Sequence, residues 1–84
     1  MENQHDRKYV FDLVAGSIAS VLSVPAANLS EDTSLSADLV VDSLLMYEIV
    51  IELEELFDAR ISDSDIDQIE TLGDIVDSLL AKKD

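Results

Sequence analysis

Asp42-Ser43-Leu44-Leu45-Met46-Tyr47-Glu48-Ile49-Val50-Ile51-Glu52-Leu53-Glu54-Glu55-Leu56-Phe57-Asp58 is the stretch on which the fold turns. At about 100° per residue, Met46, Ile49, Val50, Leu53, Leu56 and Phe57 gather on one stripe, the signature of an amphipathic helix. The spacing predicts a helix from Ser43 to Phe57 or Asp58. Opposite the stripe lie Glu48, Glu52 and Glu55, while Leu44, Tyr47 and Ile51 share the outward half with Glu54 and Asp58. Neither outward group serves the core, and like charges three or four residues apart oppose the helix by about 0.2–0.5 kcal/mol per pair. Ile49, Val50, Leu53 and Phe57 are expected to face the neighbouring helices, either as a packed core or as the lining of a space for a bound chain.

Upstream, Val10, Phe11, Val14, Ile18, Val21 and Leu22 repeat at helical spacing and predict a first helix from Gln4 to Leu22, closed by Pro25. Gly16 falls inside it, at about 1 kcal/mol relative to Ala. From Ser23 to Val41 neither period is sustained. Ser, Asn, Asp and Thr alternate with Leu29, Leu35 and Leu39, so this is a long ordered loop pinned by its leucines, and loops of this length are usually functional. Downstream, Ser62-x-x-Asp65 and Thr71-x-x-Asp74 resemble capping boxes. They announce a short helix near Asp65 to Ile69 and a fourth from Leu72 to Ala81, with Lys82-Lys83 at the negative end of its dipole. The expected architecture is all-α: a small four-helix bundle of three longer helices and one short one, in a single domain spanning residues 1–84.

Composition narrows the function classes. The 84 residues are 48% hydrophobic, enough for one small core, and contain no cysteine for a disulfide or thiolate metal site. Nineteen acidic residues against five basic ones give a net charge of −14. Nucleic acid is excluded as a partner, because Arg7, Lys8, Arg60, Lys82 and Lys83 form no stripe that could displace counterions from a phosphate backbone. A basic protein partner fits instead, and self-repulsion predicts a stability that rises with salt. The segment Met1 to Lys8 is polar without an apolar signal core, and no stretch nears the roughly 18 apolar residues of a membrane span. The expectation is a cytoplasmic protein that does not insert into membranes.

Ser43 carries the chemistry. It stands in the first turn of the second helix, where unpaired N–H groups and the helix dipole favour a phosphate ester, with the Asp42 carboxylate just before it. The same pair could simply cap the helix. Asp63-x-Asp65-x-Asp67 with Asp74 has the spacing of a calcium loop, but Gln68 stands where the sharp turn requires glycine, so the cluster suits loose cation binding and no metal site is assigned. His5, the one histidine, gets no role. Tyr9 and Phe11 are expected to pack.

Asp38-Leu39-x-x-Asp42-Ser43-Leu44, then Glu48-Ile49-Val50, Leu53-Glu54-Glu55-x-Phe57-Asp58 and Ile61-x-Asp63, resembles the acyl carrier protein family over almost the whole chain. The resemblance implies that Ser43, flanked by Asp42 and Leu44, receives 4′-phosphopantetheine from coenzyme A through a holo-synthase, a phosphopantetheinyl transferase. Acyl groups would then ride as thioesters on the arm. It implies a monomeric carrier with no catalytic residue of its own, serving acyl-transferring or condensing enzymes of fatty-acid or specialised, polyketide-like biosynthesis that dock through basic patches. The docking face would be Leu44, Tyr47, Glu48, Ile51, Glu54 and Glu55, and charge reversal at Glu48 or Glu54 is expected to slow docking without loss of stability. Two positions depart from the family. Val40 stands where glycine is common, which is expected to stiffen the loop before Ser43, and Leu45 stands where an acidic or polar residue is common, which points towards a specialised pathway. A D-alanyl carrier is a related alternative, and an acidic helical cation-binding or interaction protein without a prosthetic group is the alternative from another class.

Overall fold

The computed structural model describes residues 7–82, which form α1 (Arg7–Leu22), a single 3₁₀ turn (Ala26–Asn28), α2 (Ser43–Phe57), α3 (Asp63–Asp67) and α4 (Leu72–Lys82). The expected start of the first helix at Gln4, His5, Lys83 and the side chain of Lys82 lie outside the described residues. Among the described residues there is no strand, only one isolated antiparallel bridge between Ser34 and Thr71. Also among them, no helix is long and apolar enough to cross a membrane.

Helix α1 packs on both α2 and α4, and its Val10, Val14 and Ile18 are fully buried. They meet Ile49 and Leu53 of α2 and Leu72, Ile75, Val76 and Leu79 of α4, all within 2% of complete burial. At 1.5–3 kcal/mol for each large side chain removed from water, this cluster is the main stabilising term. Leu29 and Leu35 of the loop and Ile61 complete it, while Leu39 packs at its edge. The α2 stripe is narrower than its sequence suggests. Leu56 is 48% exposed, a correction to its core assignment: it sits about 60° from Leu53 at the margin of the stripe, where nothing buries it. Tyr9 is also exposed rather than packed, whereas Phe11 packs against the core.

Helix ends follow local chemistry. Past α1, Ser23 takes the left-handed conformation at φ 59° and the Val24 N–H donates to Ala19 O at 3.1 Å, a Schellman closure completed before Pro25. Past α2, Asp58 does the same at φ 52°, and the Ala59 N–H reaches Glu54 O at 3.1 Å. The short helix begins two residues earlier than expected, at Asp63. Ser62 is its N-cap, with Ser62 Oγ accepting from Asp65 N at 3.1 Å and Asp65 Oδ2 accepting from Ser62 N at 3.2 Å. A capping-box serine immediately precedes the first helical residue, so the box itself dictates this start.

The second box is also present. Asp74 Oδ2 accepts from Thr71 N at 3.1 Å and Glu70 N at 2.9 Å, and Asp74 N donates to Thr71 Oγ1 at 3.2 Å. The backbone N–H groups of Glu70 and Thr71 lower the Asp74 pKa from its ordinary 3.8. A carboxyl whose folded pKa is depressed contributes stability that is full above the unfolded value and is lost as pH falls through the folded one. Asp74→Ala is therefore expected to cost about 1–2 kcal/mol near neutral pH. The gap in melting temperature from the parent should narrow as the solution is acidified below the ordinary aspartate value. A gap that stays constant down to pH 2 would show that the carboxylate charge contributes nothing.

Candidate functional site

Asp42 takes the capping duty at the head of α2. Its backbone is extended (φ −94°, ψ −175°), Oδ1 accepts from Leu45 N at 2.9 Å, and its carbonyl accepts from Met46 N at 2.9 Å. Ser43 follows as the first helical residue and is exposed. Of the two residues that could have capped the helix, the aspartate does so and the serine hydroxyl is left facing solvent. A phosphate ester at this oxygen would stand at the positive end of a 15-residue helix, beside the first-turn N–H groups of Ser43 and Leu44 that have no intrahelical acceptor. The local chemistry fits a phosphorylated prosthetic group on this side chain.

The loop leading to Ser43 is held by its own hydrogen bonds. Val41 N donates to Leu35 O at 2.8 Å, Asp38 N and Leu39 N donate to Ser34 O at 3.0 and 3.1 Å, and Ser34 N donates to Asp38 Oδ2 at 2.8 Å. Between the half-buried Leu39 and Val41, Val40 points outward at 75% exposure with φ 54°. Beside Ser43 a cleft of about 290 Å³ opens between α2, the loop and the α3 region. Leu35, Val41, Met46, Ile66 and Ile69 form its apolar wall, and Ser36, Asp42, Tyr47, Asp67 and Glu70 its polar rim. Of the two expectations for the α2 stripe, Ile49, Val50 and Leu53 take the packed core, and the cleft is lined instead by the N-terminal end of α2 with the loop and the α3 region.

The outward face of α2 has the composition expected of it. Leu44, Tyr47 and Ile51 are each more than half exposed, and the exposed Glu48, Glu52 and Glu55 lie along one side of them on the helical wheel. Glu54 does not belong to this solvated set. It is half-buried, and its Oε2 accepts from Ile61 N at 2.7 Å, tying the end of α2 to the chain that leads into α3. Among the described residues, no group of three or more metal-ligating side chains converges. Two of the carboxylates with calcium-loop spacing, Asp65 and Asp74, are engaged as helix caps.

Arg7 was not singled out by its sequence context. Its Nε and Nη2 grip Glu31 at 2.7–2.9 Å, and Nη1 reaches Asp77 Oδ1 at 2.6 Å. Those two carboxylates, Glu31 first, raise its pKa further, so it is always charged. Only tertiary contact reveals this role, since its partners lie 24 and 70 residues away.

The profile of the family described as "Phosphopantetheine attachment site" matches residues 12–79. The chain is 35% identical over 77 residues to the acyl carrier protein of Thermotoga maritima, covering 92% of this chain and 94% of that one. It is also 35% identical over 75 residues to the acyl carrier protein of Saccharopolyspora erythraea, covering 89% and 79%. The chain belongs to the acyl carrier protein family. Among solved structures, it is similar to a putative acyl carrier protein from Mycobacterium tuberculosis, with a TM-score of 0.80, 29% identity and coverage of 86% of this chain and 96% of the other. It is likewise similar to the acyl carrier protein of Enterococcus faecalis, with a TM-score of 0.76, 34% identity and coverage of 92% and 98%. Acyl carrier proteins are carriers rather than enzymes, and their cofactor is a covalently attached 4′-phosphopantetheine.

The Glu54 contact changes one expectation for this carrier. Glu54→Lys leaves the Ile61 N–H without its acceptor and is expected to destabilise by about 1–3 kcal/mol. Glu48→Lys, on a solvated face, should move the melting temperature by less than about 2 °C. Thermal melts of the two variants side by side check the assignment. Equal melting temperatures would return Glu54 to the docking face.

Proposed function

We propose that Ser43 is the attachment point of the 4′-phosphopantetheine arm, in a single carrier domain spanning the chain. The observation that carries this reading is the division of labour at the head of α2, where Asp42 caps and Ser43 presents a free-standing hydroxyl beside a cleft. In the loading step, Ser43 Oγ attacks the phosphorus of coenzyme A that bears the pantetheine. A P–O bond forms at Oγ, the P–O bond to adenosine 3′,5′-bisphosphate breaks, and the Oγ proton passes to a base on the transferase. Acyl groups then ride as thioesters on the terminal thiol. The chain contributes placement, and the enzymes it visits contribute the catalysis.

The cleft suits a cargo that folds back from the arm along Leu35, Val41, Met46, Ile66 and Ile69, with Ser36, Tyr47, Asp67 and Glu70 at its rim. The partners are the phosphopantetheinyl transferase and acyl-transferring or condensing enzymes with basic patches, which meet Leu44, Tyr47 and Ile51 beside the row of Glu48, Glu52 and Glu55. Apolar contact with a charged rim gives brief, steerable docking. The reading places the carrier in the cytoplasm, as a monomer. Val40 and Leu45, both apolar beside the arm, favour a specialised biosynthetic pathway over housekeeping fatty-acid synthesis.

Incubation with coenzyme A and a broad-specificity phosphopantetheinyl transferase is expected to add the mass of one phosphopantetheine, and Ser43→Ala should abolish the addition. In the same assay Glu48→Lys should lower kcat/KM about three- to tenfold at low salt, an effect that shrinks as ionic strength rises. Loading of Ser43→Ala, or no loading of the parent by several transferases, would overturn the proposal.

A further inference from the structure

Val40 is unfavourable twice over, and the loop that holds it explains its backbone conformation but not the choice of valine. Of the non-glycine residues with positive φ among the described residues, Ser23 and Asp58 lie just past helix ends. There the left-handed conformation closes the helix, and short polar side chains tolerate it. Val40, at φ 54°, is β-branched, a residue type for which this region is an outlier. It is also 75% exposed, so its side chain gains almost nothing from burial in the free protein.

The backbone conformation itself has a clear cause. Leu39 and Val41 on either side both turn inward against the core, and Val41 N must reach Leu35 O at 2.8 Å while Leu39 N reaches Ser34 O at 3.1 Å. With both neighbours fixed, residue 40 is forced outward and into the left-handed region, which is how an over-determined loop sustains strain. Glycine or asparagine would meet that demand at lower cost. The demand therefore explains the φ but not the valine. What valine adds is an apolar side chain aimed at solvent, three residues before Ser43. It stands on the loop side of the serine, as Leu44, Tyr47 and Ile51 stand on the helix side.

We propose that Val40 is a partner-contact residue, and that the recognition surface runs across Ser43 from Val40 on the loop to Leu44, Tyr47 and Ile51 on α2. This rests on the reading of Ser43 as the attachment point. The occupant is the phosphopantetheinyl transferase, because the enzyme that brings coenzyme A within bonding distance of Ser43 Oγ must cover the residues on both sides of it. Asp38, Asp42 and Glu48 flank the apolar row, so the matching surface of the transferase is an apolar patch edged with Lys or Arg. Held rigidly by its neighbours, Val40 loses little freedom on docking.

Three substitutions separate contact from flexibility and from strain: Val40→Asn, Val40→Gly and Val40→Leu. Each is assayed for loading with coenzyme A and a broad-specificity phosphopantetheinyl transferase, and each is melted. Val40→Asn and Val40→Gly are expected to melt at or above the parent, by up to about 5 °C, because both accept the left-handed backbone. Both should nevertheless lose about five- to tenfold in kcat/KM, mostly through KM, while Val40→Leu stays within about twofold of the parent. Parent-like rates in Val40→Asn and Val40→Gly would overturn the proposal. So would a slow Val40→Gly beside a fast Val40→Asn, which would indict loop flexibility, or a Val40→Leu as slow as Val40→Asn, which would show that apolar area is not what is read. If the parent itself takes up no phosphopantetheine, the reading of Ser43 has failed rather than the role of Val40.

Discussion

Three backbone hydrogen bonds stitch the long loop to the other end of the chain: Leu35 N to Glu70 O at 2.9 Å, Leu72 N to Thr33 O at 3.2 Å and Gly73 N to Glu31 O at 3.0 Å. A segment without helix or strand leaves its polar backbone groups to be satisfied one by one, and these bonds do so while closing the loop over the start of α4. The approach at Gly73 is close. A Cβ there would lie 3.1 Å from Glu31 O, tighter than ordinary contact, so a side chain at this position would press on the loop backbone, and glycine is favoured for room rather than for its φ. Arg7 clamps the same junction from α1 through Glu31 and Asp77. With Leu29 and Leu35 buried, the loop becomes part of the core and delivers Asp42 and Ser43 to a fixed place.

A net charge of −14 on so small a chain makes the placement of carboxylates a structural problem as well as a functional one. Part of the solution is to use them as hydrogen-bond acceptors for backbone N–H groups that would otherwise lack partners. Asp42, Asp65 and Asp74 cap three helices, Asp38 closes the turn before Val40, and Glu54 receives Ile61 N. Each sits where a negative charge is locally favourable. The carboxylates left without such work on α2, Glu48, Glu52 and Glu55, are exposed along one side of Leu44, Tyr47 and Ile51, the face proposed to meet a basic partner. Asp38 and Asp42 do structural work and also lie exposed beside Ser43, so one acidic population is shared between holding the fold and lining its surface.

Much of this was legible in the sequence, because α2 and α4 have strong apolar periods and the capping boxes mark their own helix starts. The place of Ser43 as the first residue of α2 was legible from the helical period, and the proposal for its hydroxyl starts from the resemblance carried by the residues around it. What escaped depends on contacts between distant residues. Glu54 looks like any other carboxylate on the helical wheel until the chain after α2 folds back to bring Ile61 N to it. Leu56 fits the stripe by angle, but a wheel does not say where the neighbouring helices stop. Arg7 and Gly73 gain meaning only from Glu31, and the cleft arises from side chains of three separate segments. Val40 stood out as a departure from the family pattern, yet its left-handed backbone follows from the inward turns of Leu39 and Val41, which only the folded loop reveals.

Native-state amide hydrogen exchange distinguishes a loop before Ser43 that is a fixed structural part from one that is a flexible connection. The amides of Leu35, Val41, Leu72 and Gly73 should exchange within about tenfold of the rates of Ile49 and Leu53 in the buried core, as members of one cooperative unit. If Leu35 and Val41 exchange at nearly unprotected rates while the helices remain protected, the loop opens independently. Ser43 would then be presented by a mobile segment, and the loop would not be part of the core.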